Sequence, residues 1–153
     1  MAPNFDGGPA TYSQLPPARP LDANASTAAA GLLAGVAATE APGSQSVGPV
    51  LAGQFEPGQA LETAVELAPG KCYTAVAAGA PPIEDVDVKL VLPPWVPGGP
   101  ALVMAEAKTD GPTAVLGSRR DCFRWALATS AVARLVVVVT RGRGAAAARL
   151  YVR

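Results

Sequence analysis

Histidine is absent from this chain of 153 residues. That absence removes the commonest general base, the usual serine and cysteine triads and nearly all zinc sites, so any catalysis would have to rest on carboxylates, lysine or tyrosine. An enzyme is not the expected class. Aromatic residues amount to 5%, so a hydrophobic core must be assembled mainly from Val, Leu and Ala. No apolar run approaches the roughly 20 residues that a membrane-crossing helix requires. The formal net charge is zero, which removes a general attraction to nucleic acid or anionic membranes. Proteins that bind nucleic acid usually combine net positive charge with stacking aromatics, and neither is present. No cofactor is expected.

Cysteine is nearly absent too, and its two occurrences have similar settings. Cys72 lies in Pro69-Gly70-Lys71-Cys72-Tyr73-Thr74 and Cys122 in Arg120-Asp121-Cys122-Phe123-Arg124-Trp125. Each stands beside an aromatic residue where a turn enters a strand-like stretch. Two neighbouring strands joined by a Cys72–Cys122 disulfide are expected, which implies an oxidising compartment: secreted, or at the cell envelope. The alternative is two reduced, partly buried thiols in a cytosolic protein. A metal site built from two cysteines without histidine is not expected.

The length suits one domain with a core of ordinary size. Residues 1–46 are rich in Ala, Gly, Pro, Ser and Thr and read as a flexible or extended N-terminal arm. Within it, Thr27 to Ala38 is a small-residue run of secretion-signal length but has no basic leader. It reads as a short helix or flexible arm, and the chain is expected to begin after any natural signal. Residues 47–153 change to short alternating stretches divided by turn residues. In Leu61 to Leu67 the odd positions are of inward type and both glutamates are even. From Ile83 to Leu92, Val86, Val88, Leu90 and Leu92 share one face, with Asp85, Asp87 and Lys89 on the other. Ala101 to Ala107 and Thr113 to Leu116 are shorter strands. A strand over Cys122 to Ala128 would place Phe123, Trp125 and Leu127 together. Leu135 to Val139 offers two apolar faces and so reads as central, followed by a hairpin loop at Arg141-Gly142-Arg143-Gly144. The pattern predicts an all-β fold, a jelly-roll-like antiparallel β-sandwich of about eight strands with an irregular arm.

The order Leu67-Ala68-Pro69-Gly70-Lys71-Cys72-Tyr73, Val86-Asp87-Val88-Lys89-Leu90, Val103-Met104-Ala105, then Leu135 to Val139 and Leu150-Tyr151-Val152 resembles the bacterial pre-peptidase C-terminal domain family. The likeness covers about residues 50–153. It implies a small sandwich that accompanies secreted enzymes without catalytic residues of its own. The cysteine pair departs from that pattern.

Charge is strongly segregated along the chain. Residues 1–118 carry four basic and eleven acidic side chains, whereas residues 119–153 carry eight arginines and one acid. Outward arginines facing outward acids on adjacent strands would account for this, as would a basic surface for an acidic partner or head-to-tail association of copies. The candidate ligand or partner contacts are Trp95, Arg119, Arg120, Arg124, Arg141 and Arg143. Trp95, in a Pro-rich and Gly-rich loop, would either stack on a sugar or plug the end of the sandwich. A weaker set, Asp85, Asp87 and Asp110, has the hard oxygen ligands calcium takes but no calcium-loop spacing.

With what the resemblance implies, these readings favour a non-catalytic binding or adhesion module, secreted or at a bacterial cell envelope, with a protein or surface glycan as partner. The alternative is a structural subunit, a homo-oligomer assembled through its arm and opposed charges.

Overall fold

The computed structural model describes residues 15–93, 102–107, 110–118 and 121–153. It forms a two-sheet antiparallel sandwich with one helix laid on its outside. Sheet one runs β1 (Arg19–Pro20), β2 (Gln45–Phe55), β10 (Gly144–Val152), β4 (Cys72–Gly79) and β7 (Thr113–Leu116), with the short β8 (Phe123–Arg124) also on β4. Sheet two runs β3 (Ala60–Leu67), β9 (Ala131–Arg141), β5 (Asp85–Leu92) and β6 (Leu102–Ala107). Among the described residues the strands number ten, against the eight or so expected: β1 and β8 are two residues long, and the 11-residue β2 is a strand that the alternation did not mark.

The period of two sets the core. On β4, Tyr73, Ala75 and Ala77 face sheet two, where they meet Val65, Leu67, Val86, Val88 and Leu90. Strand β9 lies between β3 and β5 and buries every residue from Ala133 to Val139. Leu135, Val137 and Val139 fill the inter-sheet core, while Val136 and Val138 form an outward cluster with Ala60 and Val91. Tyr73, fully buried, brings a polar atom with it, and its phenol oxygen accepts from Ala68 N at 2.6 Å.

The segment read as a short helix or flexible arm is an 18-residue helix, α1 (Ala23–Glu40). Asp22 caps it by accepting from Ala25 N at 2.8 Å, and alanine, the best helix former, fills much of it. Pro42 follows its end, as expected where a helix must stop. The alternate face of sheet one, Ala52, Val76, Ala78 and Ala147, receives Ala29 and Leu33 from α1, with Leu32, Val36 and Tyr151 at the margin. An alanine-rich stripe gives little contrast between helix faces, so the pattern does not announce its length.

Two sequence expectations are corrected. Arg141 to Gly144 is not a hairpin loop: β9 and β10 lie in opposite sheets, and the connection crosses between them. Gly142 has φ +82° there, and a Cβ would run into Pro82 O and Glu84 N. The stretch Cys122 to Ala128 is strand only at Phe123 and Arg124. Its Trp125 is buried, and the indole N–H donates to Thr129 O at 2.8 Å, so the chain curls around the ring and leaves Leu127 56% exposed.

Leu33 is 1% exposed beneath α1. Replacing it with alanine should lower stability by about 2–4 kcal/mol, the usual cost of a buried Leu cavity, as read by urea unfolding. Partial burial raises the Tyr151 phenol above its ordinary value, with Arg149 opposing the shift. The folded protein therefore holds that proton more tightly than the unfolded chain. The contribution is fully present below the unfolded value of about 10 and is lost as pH rises through the folded one. Tyr151→Phe should show a smaller alkaline loss of melting temperature than the parent protein.

Candidate functional site

The N-terminal segment runs across one open edge of the sandwich and bonds to both sheets. Ala60 N donates to Pro16 O at 3.0 Å and Ala18 N to Ala60 O at 2.9 Å, which ties the segment to β3. Immediately after, Arg19 pairs with Gln54 and Pro20 with Gly53 of β2, and Leu21 N donates to Ala52 O at 3.1 Å. Prolines 16, 17 and 20 have no N–H to give, so this stretch suits an edge and could not serve as a central strand. Gly53 permits the approach, since a Cβ there would collide with the Leu61 side chain and sit 3.0 Å from Arg19 O.

A cleft of about 260 Å³ lies at this seam, lined by Pro17, Ala18, Arg19, Gln54, Glu56 and Gln59. Arg19 and Gln54 are directly opposed across two strands, and Glu56, in the turn just beyond β2, joins them in lining the cleft. The turn from β2 to β3 is held by Gln59 N donating to Glu56 O at 3.1 Å and by Glu56 N donating to Gln59 Oε1 at 2.8 Å. The second bond fixes the Gln59 amide, leaving its NH2 free to donate. Arg143 Nη1 sits 3.2 Å from Glu56 Oε1 and offsets that carboxylate's charge. The cleft thus gathers a guanidinium, two amides and a carboxylate beside a proline ring.

The sequence-predicted contacts do not converge on one place. Arg141 and Arg143 lie at the same end of the sandwich as Glu56, but both face acids: Arg141 Nε is 3.8 Å from Asp85 Oδ2. Arg134 pairs with Glu62 at 3.2 Å. These pairs join acids from the first part of the chain to arginines of the last: Arg134–Glu62 and Arg141–Asp85 cross adjacent strands, and Arg143–Glu56 joins two connections just beyond the paired ends of β10 and β2. Arg124 is at the opposite end, where its Nη1 donates to Gly70 O at 2.8 Å. Trp95, Arg119 and Arg120 lie outside the described residues.

Asp85, Asp87 and Asp110 do not form a cation cage. Among the described residues no group of three or more acidic or cysteine side chains is placed to hold a metal ion. Asp85 is engaged through Oδ2, which accepts from Thr140 Oγ1 at 2.7 Å, with Arg141 already supplying positive charge. Asp87 stands opposite Val138 in the sheet, and Asp110 is exposed in the turn before β7.

The expected disulfide is present between Cys72 and Cys122, with Cα atoms 5.5 Å apart. Cys72, buried at the start of β4, exchanges backbone hydrogen bonds with Arg153 (2.9 and 3.3 Å) and pairs with Arg124 of β8. The bridge therefore pins the connection from β7 to β9 against the last residue of the chain. Gly117 turns that connection at φ +72°, where a Cβ would meet Tyr73 O and Phe123 N.

Sequence reasoning missed the cleft. Arg19 stood in a segment read as an arm, and Gln54, Glu56 and Gln59 form no motif. The one local cue was the proline spacing around Arg19, which marks an edge segment. No protein-family model matches the chain, and no curated protein matches it in sequence.

Replacing both Cys72 and Cys122 with serine should cost about 4 kcal/mol, the value for closing a loop of this length in the chain-entropy model. Urea unfolding of the double variant beside the oxidised parent measures it. A loss near zero would mean that the bridge does not restrain the unfolded chain.

Proposed function

We propose that this chain is a non-catalytic binding module of a bacterial secreted or cell-envelope protein, of the accessory kind that the resemblance to pre-peptidase C-terminal domains implies. The observation that carries this reading is the use the chain makes of its N-terminal segment. From Pro16 onward that segment closes the edge of its own sandwich and then covers its own sheet one with α1, creating a polar cleft at the join. A segment so engaged is not available to a neighbouring copy, which favours the module over a subunit assembled through its arm. The pairing of Arg134, Arg141 and Arg143 with acids of the same molecule likewise weakens head-to-tail association driven by opposed charge. The disulfide is compatible with an oxidising compartment. The histidine-free composition supports the non-catalytic part of the reading.

Sedimentation at low and high salt, together with retention on purified envelope polysaccharide and on envelope protein extract, tests the proposal. The expected result is a monomer at both salt concentrations with saturable retention on one of the two materials. A salt-sensitive oligomer that is retained on neither would overturn it in favour of the structural subunit.

A further inference from the structure

Among the described arginines, Arg19 differs from the others in having no hydrogen-bond or ion-pair partner. Arg134, Arg141 and Arg143 face carboxylates. Arg124 and Arg149 donate to the carbonyls of Gly70 and Gly48, and Arg153 reaches Cys122 Sγ. Arg19 instead lines the seam cleft. Its backbone is fixed by pairing with β2, so the exposed side chain projects from a fixed point on the cleft wall.

We infer that the cleft binds a carboxylate-bearing sugar unit, a uronate within a surface polysaccharide, with the Arg19 guanidinium paired to the carboxylate; this rests on the binding-module reading above. Size supports a single ring. Pockets for drug-sized molecules run from about 300 to 1,000 Å³, and this one, at about 260 Å³, falls just below.

Chemistry selects the class. A guanidinium offers parallel N–H donors that match a carboxylate fork. The Gln59 amide, oriented by its bond from Glu56 N, and the Gln54 amide opposite Arg19 add neutral groups suited to hydroxyls. Glu56 is the only anion among the lining residues. Its charge is offset by Arg143, so it accepts from a sugar hydroxyl with little penalty to a nearby carboxylate. A bare phosphate would leave the Gln54 and Gln59 amides and the Pro17 ring without the hydroxyls and C–H face that a sugar ring brings. A neutral sugar would leave Arg19 without a counter-charge. The Pro17 ring gives the C–H face of the sugar an apolar surface to lie on.

Amide chemical-shift titration of the full chain with a short oligogalacturonate tests this. Its methyl ester, inorganic phosphate and an acidic peptide serve as comparison probes. The expected result is saturable amide shifts at Ala18, Arg19, Gln54, Glu56 and Gln59 with the uronate and none with the ester or phosphate. Arg19→Gln should weaken the uronate at least about tenfold, as expected for losing a charge-assisted pair. Arg19→Lys should restore part of the loss, which a merely structural role would not produce. Unchanged melting of both variants keeps a folding defect from imitating the effect. No shifts with the uronate, equal shifts with the ester, stronger binding of the peptide, or full affinity in Arg19→Gln would each overturn the assignment. If the cleft stays silent while the protein is retained on envelope material through another face, the uronate assignment fails and the module stands. If the protein binds nothing and assembles, both fail.

Discussion

Burial of sheet one on both faces is the constraint on which the rest of this structure depends. Strand β4 has Tyr73, Ala75 and Ala77 against sheet two, and Val76 and Ala78 against α1. Strand β10 does the same with Ala146 and Ala148 on one side and Ala147 on the other. Alanine at these positions keeps the sheet thin, so a helix and a second sheet can both approach closely. The faces opposite supply larger residues, Leu67, Leu90 and Leu135 from sheet two and Leu33 from the helix, while Phe55, Tyr73 and Leu150 of sheet one reach into the inter-sheet core. A composition with few aromatics and much alanine is what this arrangement requires.

From that constraint follows the role of the N-terminal segment. A sheet buried on its outer face needs a cover, and the chain supplies it with α1. To bring the helix there, the preceding residues must cross the edge of the sandwich from β3 to β2. The crossing satisfies backbone groups on both sheets and blunts an edge that would otherwise offer itself for strand addition. The seam cleft is a geometric consequence of the crossing. It lies where one strand pairs briefly with each sheet in turn and the β2 to β3 turn stands beside it. At the far end the disulfide, Gly117 and the buried Trp125 close the sandwich by local chemistry.

The strands were legible because a half-buried strand alternates at a fixed period, and Leu61 to Leu67 and Asp85 to Leu92 do so clearly. The central place of β9 was legible for the opposite reason, an apolar run that suits burial on both faces. The helix was less so: its contact stripe of Ala29 and Leu33 is embedded in further alanines and glycines, and hydrophobic contrast is what periodicity measures. The crossing at Arg141 to Gly144 reads locally as a hairpin because glycines permit either path. Which sheet receives β10 depends on contacts with β2 and β4, some 100 and 70 positions earlier. The calcium set failed for a related reason. Spacing along a strand puts Asp85 and Asp87 on one side but says nothing of Thr140 and Arg141, which engage Asp85 from the adjacent strand.

The amino-acid sequence by itself determined the fold class, the positions of most strands though not β2 or the short β8, the cysteine pairing and the absence of histidine chemistry. These are properties of local period and residue type, and they survive without knowledge of neighbours. Only the tertiary structure decided where the arm goes, which arginines meet acids and which one is left facing a cleft. Arg19, Gln54 and Glu56 meet because a proline-bearing segment is laid against β2, a pairing across some 35 residues that no local pattern encodes.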